Sequence, residues 1–255
     1  MVRQRFLSAR SICLSLAAVM ITLSLGAAPA SSAKKPVLIL SGYPAPDTPL
    51  YEFAFRRQHA KVEVVDATWV PAKDYAKYGV VVLSGNIGRA GIKPSAYSAD
   101  DVKALQAFLQ EGGTLILTGG SFDIFRSPAG GPMLESIIGK GNDTKDKEIK
   151  LLQPQHRWVT QLAEFKDLSW FFDGGALVPV ASAQRIIGTE NGRSAILFEQ
   201  PVGRGKVIYV GWSFAKFIPG GRNLNSTIED EQRYEAQYHV LSNIASELYP
   251  ASESR

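Results

Sequence analysis

The sequence predicts a three-layer α/β domain built on a mainly parallel sheet. Three observations carry this. The runs Val37-Leu38-Ile39-Leu40, Gly79-Val80-Val81-Val82-Leu83 and Thr114-Leu115-Ile116-Leu117 are apolar without polar alternation, as strands covered on both faces require. Segments with helical periodicity and start signals lie between them. Gly112-Gly113 and Gly119-Gly120 bracket the last run: one pair stops a helix, and the other turns the chain at the strand's carboxyl end, where open α/β sheets bind ligands.

The elements follow in order. Lys34-Lys35-Pro36 leads into the first strand, and Ser41-Gly42 ends it. Asp47-Thr48-Pro49 supplies a cap and a first-turn proline for a helix with Leu50, Phe53 and Ala54 on one face. Val62, Val64 and Val65 mark a second strand; Gly79–Leu83 is a third, ending at Ser84-Gly85-Asn86. After a Gly, Pro and Ser-rich loop, Ser98 caps a helix with Asp100 and Asp101 in its first turn and Val102, Leu105, Phe108 and Leu109 as its stripe. Thr114–Leu117 is the fourth strand. Pro132–Ile138 reads as a short helix, Gly139–Lys150 as a polar surface excursion, and Trp170-Phe171-Phe172 as an aromatic strand or turn. Ala195–Phe198 and Lys206–Gly211, joined by Pro201-Val202-Gly203-Arg204-Gly205, read as a hairpin extending the sheet. A helix from Glu229 to Leu248 closes the chain, with Tyr234, Tyr238, Leu241 and Ile244 on its buried side.

Residues 1–33 have the pattern of a signal peptide: Arg3, Arg5 and Arg10, an apolar Ile12–Leu25, and small residues that place cleavage after Ala30 or Ala33. This predicts an exported protein, periplasmic or extracellular, without stable membrane association after cleavage. The full chain has 28 basic and 24 acidic residues. Loss of the three arginines leaves near neutrality, so no nucleic-acid partner is expected. Cys13, the one cysteine, lies within the signal. The remaining domain, residues 34–255, then has no disulfide, thiolate metal site or catalytic thiol.

Several segments together are similar to the class I glutamine amidotransferase-like superfamily, in particular its trehalose-utilisation-type (ThuA-like) branch. They are Tyr78–Gly85, Phe108–Ser121, Gly119-Gly120-Ser121-Phe122 followed by Ala129–Leu134, Gln155-His156-Arg157-Trp158-Val159, and Pro201–Val207 followed by Val210-Gly211. Arg157 stands where the branch has proline. The resemblance covers most of residues 36–249 and implies a flavodoxin-like fold. Amidotransferases of this kind place a cysteine on the fourth-strand turn and a His-x-Glu late in the domain. Ser121 is the nearest match to the first, by position alone. The second is missing, because His239 lies inside the terminal helix after Gln237 and Tyr238. Glutaminase activity is therefore not expected.

Ser121 as a nucleophile needs a base and an oxyanion site. His156 is the candidate base, since His59 reads as a surface residue, and no G-x-S-x-G elbow is present. Asp123, His156, Asp173, Glu229, Asp230 and Glu231 lack metal-ligand spacing, so neither metal nor cofactor is expected. The loops at the carboxyl end offer Tyr43, Asn86, Ser121, Asp123 and Arg126, with Trp212 after the last strand. This amide, hydroxyl, guanidinium and aromatic set suits a sugar ring. The leading expectation is a binding or accessory module for a carbohydrate or other small polar ligand. The alternatives are a secreted hydrolase using Ser121 or a water activated by His or Asp, and an envelope protein-interaction domain with an unidentified partner.

Overall fold

A computed structural model describes residues 34–42, 47–66, 74–84, 98–119, 128–141, 148–165, 168, 175–212 and 228–250. Residues 34–255 belong to one compact unit. The elements are β1 (Val37–Ser41), α1 (Thr48–Arg57), β2 (Val62–Asp66), β3 (Val80–Ser84), α2 (Ala99–Gln110), β4 (Thr114–Thr118), α3 (Gly130–Ile138), β5 (Gly139–Gly141), β6 (Ile149–Leu151), a 3-10 turn (Thr160–Glu164), β7 (Leu177–Pro179), β8 (Gln184–Thr189), β9 (Ala195–Val202), β10 (Gly205–Val210) and α4 (Ile228–Leu248). Residues 1–33, where the sequence predicts a signal peptide, and Trp170–Phe172 lie outside the described residues.

The sheet runs β2-β1-β3-β4-β10-β9-β7-β5, with β8 pairing β9 and β6. From β2 to β10 the pairs are parallel. The β9–β10 hairpin then turns the sheet antiparallel. The expected flavodoxin-like fold with a hairpin extension is thus present, and the extension is larger than one hairpin. The predicted surface excursion Gly139–Lys150 instead contributes two edge strands: β5 pairs β7, and β6 pairs β8. Backbone pairing at these edges outweighs the polar composition that suggested a loop.

Alternation along each strand divides the core. Val37, Ile39, Val80, Val82, Ile116, Ile208 and Val210 face α1 and α4. Leu38, Leu40, Val81, Leu83, Leu115, Leu117, Val207 and Tyr209 face α2 and α3. Burial of each such side chain is worth about 1.5–3 kcal/mol against exposure, so both faces must be covered.

The helix signals mostly hold. Ser98 and Asp101 form a reciprocal capping box on α2. Gly112 takes φ 105° to end that helix, a conformation glycine adopts without a Cβ penalty. Two expectations on α1 fail. Asp47 makes no side-chain cap bond. Phe53 is 54% exposed, while Tyr51, Ala54 and Phe55 are buried. The three buried positions share the i, i+3, i+4 stripe that faces the sheet, and Phe53 lies instead against Tyr238 of α4, ring centroids 6.0 Å apart.

Candidate functional site

Three of the parallel strands end on a hydroxyl. Ser41 is in register with Ser84, and Leu83 with Leu117, which brings Ser84 level with Thr118. Asp66 extends this row through its register with Ser41. Strand periodicity puts Ser41, Ser84 and Thr118 on the face covered by α1 and α4, because they continue the Val37-Ile39, Val80-Val82 and Ile116 positions. The row therefore lies where the carboxyl end of the sheet meets the first turn of α1.

Thr48 opens that turn. Its Oγ1 is 3.1 Å from Ser41 Oγ and 3.1 Å from Ser84 Oγ. One hydroxyl carries one proton, so Thr48 donates to one serine and accepts from the other. The Gly42 N–H donates to the Ser84 carbonyl at 2.7 Å and ties the two strand ends together. Asp47, next in the chain, is only 4% exposed. Its charge helps burial to hold the Tyr51 phenol well above its ordinary pKa. The Tyr234 phenol is also raised, by burial first and then by Tyr238 and Asp47. Phe53 of α1 and Tyr238 of α4, with ring centroids 6.0 Å apart, set the early part of α4 beside α1.

Helix geometry agrees. Glu247 meets Lys206 at 3.0 Å, and Lys206 opens β10 level with Thr114 at the amino end. Gln237 lies about ten residues earlier on α4, or about 15 Å along its axis. That is the distance back to the carboxyl end of β10. Gln237 is 1% exposed. Its Oε1 and the Tyr238 hydroxyl are buried without a hydrogen-bond partner. Tyr234, Gln237 and Tyr238 are neighbours at i, i+3 and i+4 spacing.

Glycines let the backbones converge nearby. A Cβ on Gly119 would lie 2.9 Å from the Gly211 carbonyl oxygen, and one on Gly175 would collide with the same oxygen. The Tyr209 hydroxyl donates to the Gly175 carbonyl. Trp212, expected as a ligand platform, is 1% exposed and packs in the α1–α4 core, so its ring has no open face. Tyr43, Asn86, Ser121, Asp123 and Arg126 lie outside the described residues.

His156 belongs to the other end of the sheet. Its ring meets Trp158 edge-on with centroids 4.8 Å apart. Desolvation lowers its pKa, against the pull of Glu247 and Glu199. Lys206, 2.7 Å from Glu199 and 3.0 Å from Glu247, lies 5.8 Å from the Trp158 ring centroid. Arg157 pairs with Glu247 at 2.7 Å, and the Trp158 indole donates to the same carboxylate. This network starts at the amino end of β10, about 13 Å from that strand's carboxyl end at some 3.3 Å per residue. His59 and His239 are exposed. No group of three or more metal-ligating side chains occurs among the described residues.

Sequence reasoning saw Ser41, Ser84 and Asp47-Thr48 only as boundaries. The signal was present: VLILS, VVVLS and TLILT each end on a hydroxyl after an apolar run.

Comparison with solved structures finds the same architecture elsewhere. A cytoplasmic protein from Salmonella typhimurium LT2 superposes with TM-score 0.52 and 14% identity, covering 84% of this chain and 99% of that one. PurLQS from Thermotoga maritima gives TM-score 0.48 and 10% identity over 84% of this chain and 99% of that one. A ThuA-like protein from Bacteroides uniformis gives 0.44 and 12% over 81% and 94%. The likeness is one of fold. No protein-family model and no curated protein matches the chain.

Proposed function

We propose that the protein is an exported member of the class I glutamine amidotransferase-like superfamily that lacks the catalytic cysteine and binds a small polar, hydroxyl-rich ligand, a carbohydrate in the first instance. The observation that supports this reading is the Thr48, Ser41 and Ser84 hydroxyl cluster beside buried Asp47, at the sheet end where α/β proteins hold ligands. Hydroxyls donate and accept, and so match the hydroxyls of a sugar. The only cysteine is Cys13, remote in sequence from the fourth-strand turn, so thioester chemistry has no nucleophile there.

Titration calorimetry against neutral sugars and polyols tests the reading. Millimolar or tighter binding of at least one is expected, weakened about tenfold by Thr48→Val, as loss of one or two hydrogen bonds implies. Binding that Thr48→Val leaves unchanged would move the ligand elsewhere, and no heat from any ligand in the panel would remove the reading.

A further inference from the structure

The parallel end of the sheet stops at β2, which has β1 on one side only. The Val37 N–H donates to the Lys61 carbonyl. Backbone groups alternate in direction along a strand. Lys61, Glu63 and Val65 therefore turn theirs towards β1, while Val62, Val64 and Asp66 turn theirs outward. Among the described residues, the outward N–H and C=O of Val64 meet no partner. Such a row is a template for a further strand, and edge strands are commonly blunted by lysine, proline or a bulge. Here the register with β1 runs without a bulge, and the central residue is Val64, 40% exposed. Among the described large apolar side chains only Phe53 is more exposed, and its ring has Tyr238 and the Arg57 guanidinium against it.

The charges around this edge complement one another, which favours a second copy of the same chain as the occupant. Two copies pair antiparallel about a two-fold axis, the usual symmetry of homodimers. Both faces of the sheet then continue across the junction, and outward groups meet outward groups. Charge selects the register. An axis at Glu63 sets two exposed carboxylates against each other, which is destabilising. An axis at Val62 brings together two Arg56 guanidiniums, because Arg56 Nη2 lies 3.5 Å from the Val62 carbonyl. An axis at Val65 carries Val62 past the end of the partner strand. An axis at Val64 avoids all three. It sets Val64 on Val64 and Glu63 beside Val65, and it places Val62, with Arg56 at its carbonyl, opposite the acidic position Asp66.

We infer that the protein forms a two-fold dimer in which β2 of each copy pairs antiparallel with β2 of the other, centred on Val64. The two Val64 residues exchange N–H···O=C bonds, and the apolar side chain that is exposed in one copy is covered by its twin. Because the paired strands run in opposite directions, the Ser41, Ser84 and Thr118 rows of the two copies lie at opposite ends of the joined sheet.

Sedimentation velocity on the purified protein tests this, with Cys13, the one native cysteine, replaced by serine in every sample. A dimer is expected at about 10–100 µM, the range of a micromolar interface. Val64→Lys puts two like charges on the axis and should give a monomer with unchanged circular dichroism. Val64→Cys should form an intermolecular disulfide on mild oxidation. Residues paired in this way have Cα atoms about 5.5 Å apart, within reach of the bond. Lys61→Cys, also exposed on the same strand but away from the axis, should not. A monomer at every concentration overturns the inference. A dimer that Val64→Lys leaves intact overturns the assigned edge, and cross-linking through Lys61→Cys without cross-linking through Val64→Cys overturns the register.

Discussion

The two ends of the parallel sheet are built on opposite principles. At the amino end, Lys206 lies between Glu199 and Glu247, and Glu247 also takes Arg157 and the Trp158 indole. The Asn243 amide is within 3.4 Å of the Arg157 and Trp158 carbonyls. Charges there are paired and partly buried, so they tie β9, β10, α4 and residues 156–158 together. At the carboxyl end the strands finish on Ser41, Ser84 and Thr118, with Asp47 buried alongside, and Gln237 Oε1 and the Tyr238 hydroxyl are buried without a hydrogen-bond partner. A buried acceptor without a donor costs about 1–3 kcal/mol. The amino end thus stabilises the fold, while the carboxyl end bears a stability cost.

The largest expected effect tests how tightly the carboxyl end is assembled. Gly211→Ala places a Cβ against the Gly175 carbonyl and 2.9 Å from the Ile196 carbonyl. Backbone cannot yield as a side-chain tip does, so a loss of about 2–3 kcal/mol is expected in urea denaturation. Gly141→Ala, with nothing within 4 Å of the new Cβ, is the control and should change stability by less than about 0.5 kcal/mol. Equal stability of the two variants would contradict the close approach of β10 to Gly175.

The second effect separates the ends by their chemistry. Glu247→Gln leaves Lys206 and Arg157 without their shared carboxylate, and a loss of about 1–3 kcal/mol is expected for this part-buried network. Burial alone would raise the Glu247 carboxyl, but Lys206, Trp158 and Arg157 outweigh it and hold the pKa below 4.5. A carboxyl depressed on folding contributes its full stability above the unfolded value. That contribution disappears as pH falls through the folded value. Stability measured from pH 6 down to about pH 3 should therefore drop less steeply in Glu247→Gln than in the parent; parallel curves would count against the network.

Much of this contrast was legible in the sequence, in uneven shares. Strand identity and order follow from unbroken runs such as VLILS and TLILT, and the α2 boundaries from Ser98, Asp101 and Gly112. The Phe53 error arose because one short helix carries apolar residues around most of its circumference, and the sheet selects the stripe through Tyr51, Ala54 and Phe55. The site was harder to see. Ser41 and Thr48 are 7 residues apart, but Ser84 lies 36 beyond Thr48, and only parallel register brings its hydroxyl to theirs. The ion network was equally hidden, because Glu247 and Lys206 are 41 positions apart.

A third, smaller stability effect belongs to the hydroxyl cluster. Thr48→Val keeps the side-chain shape and removes the hydroxyl shared by Ser41 and Ser84. About 1 kcal/mol of stability should be lost, less than for Glu247→Gln. The order reverses for carbohydrate binding, where Thr48→Val should weaken affinity and Glu247→Gln should leave it unchanged. Thermal melts and titrations on the same two proteins read both orders, and identical ranking in the two assays would mean that the ends do not divide stability from recognition.

The smallest effect concerns His156. Desolvation against Trp158 lowers its pKa from 6.5 although Glu247 and Glu199 oppose the shift. A histidine kept neutral by folding contributes its full stability above the unfolded pKa. That contribution is lost as pH falls through the folded one, because protonation is then easier in the unfolded chain. His156→Phe retains an aromatic edge for Trp158 and removes the titration. Its stability should fall less than the parent's between about pH 6.5 and pH 5, with carbohydrate affinity at pH 7 unchanged. Lost affinity would be the more informative result, since it would connect the amino-end network to the proposed site at the other end of the sheet.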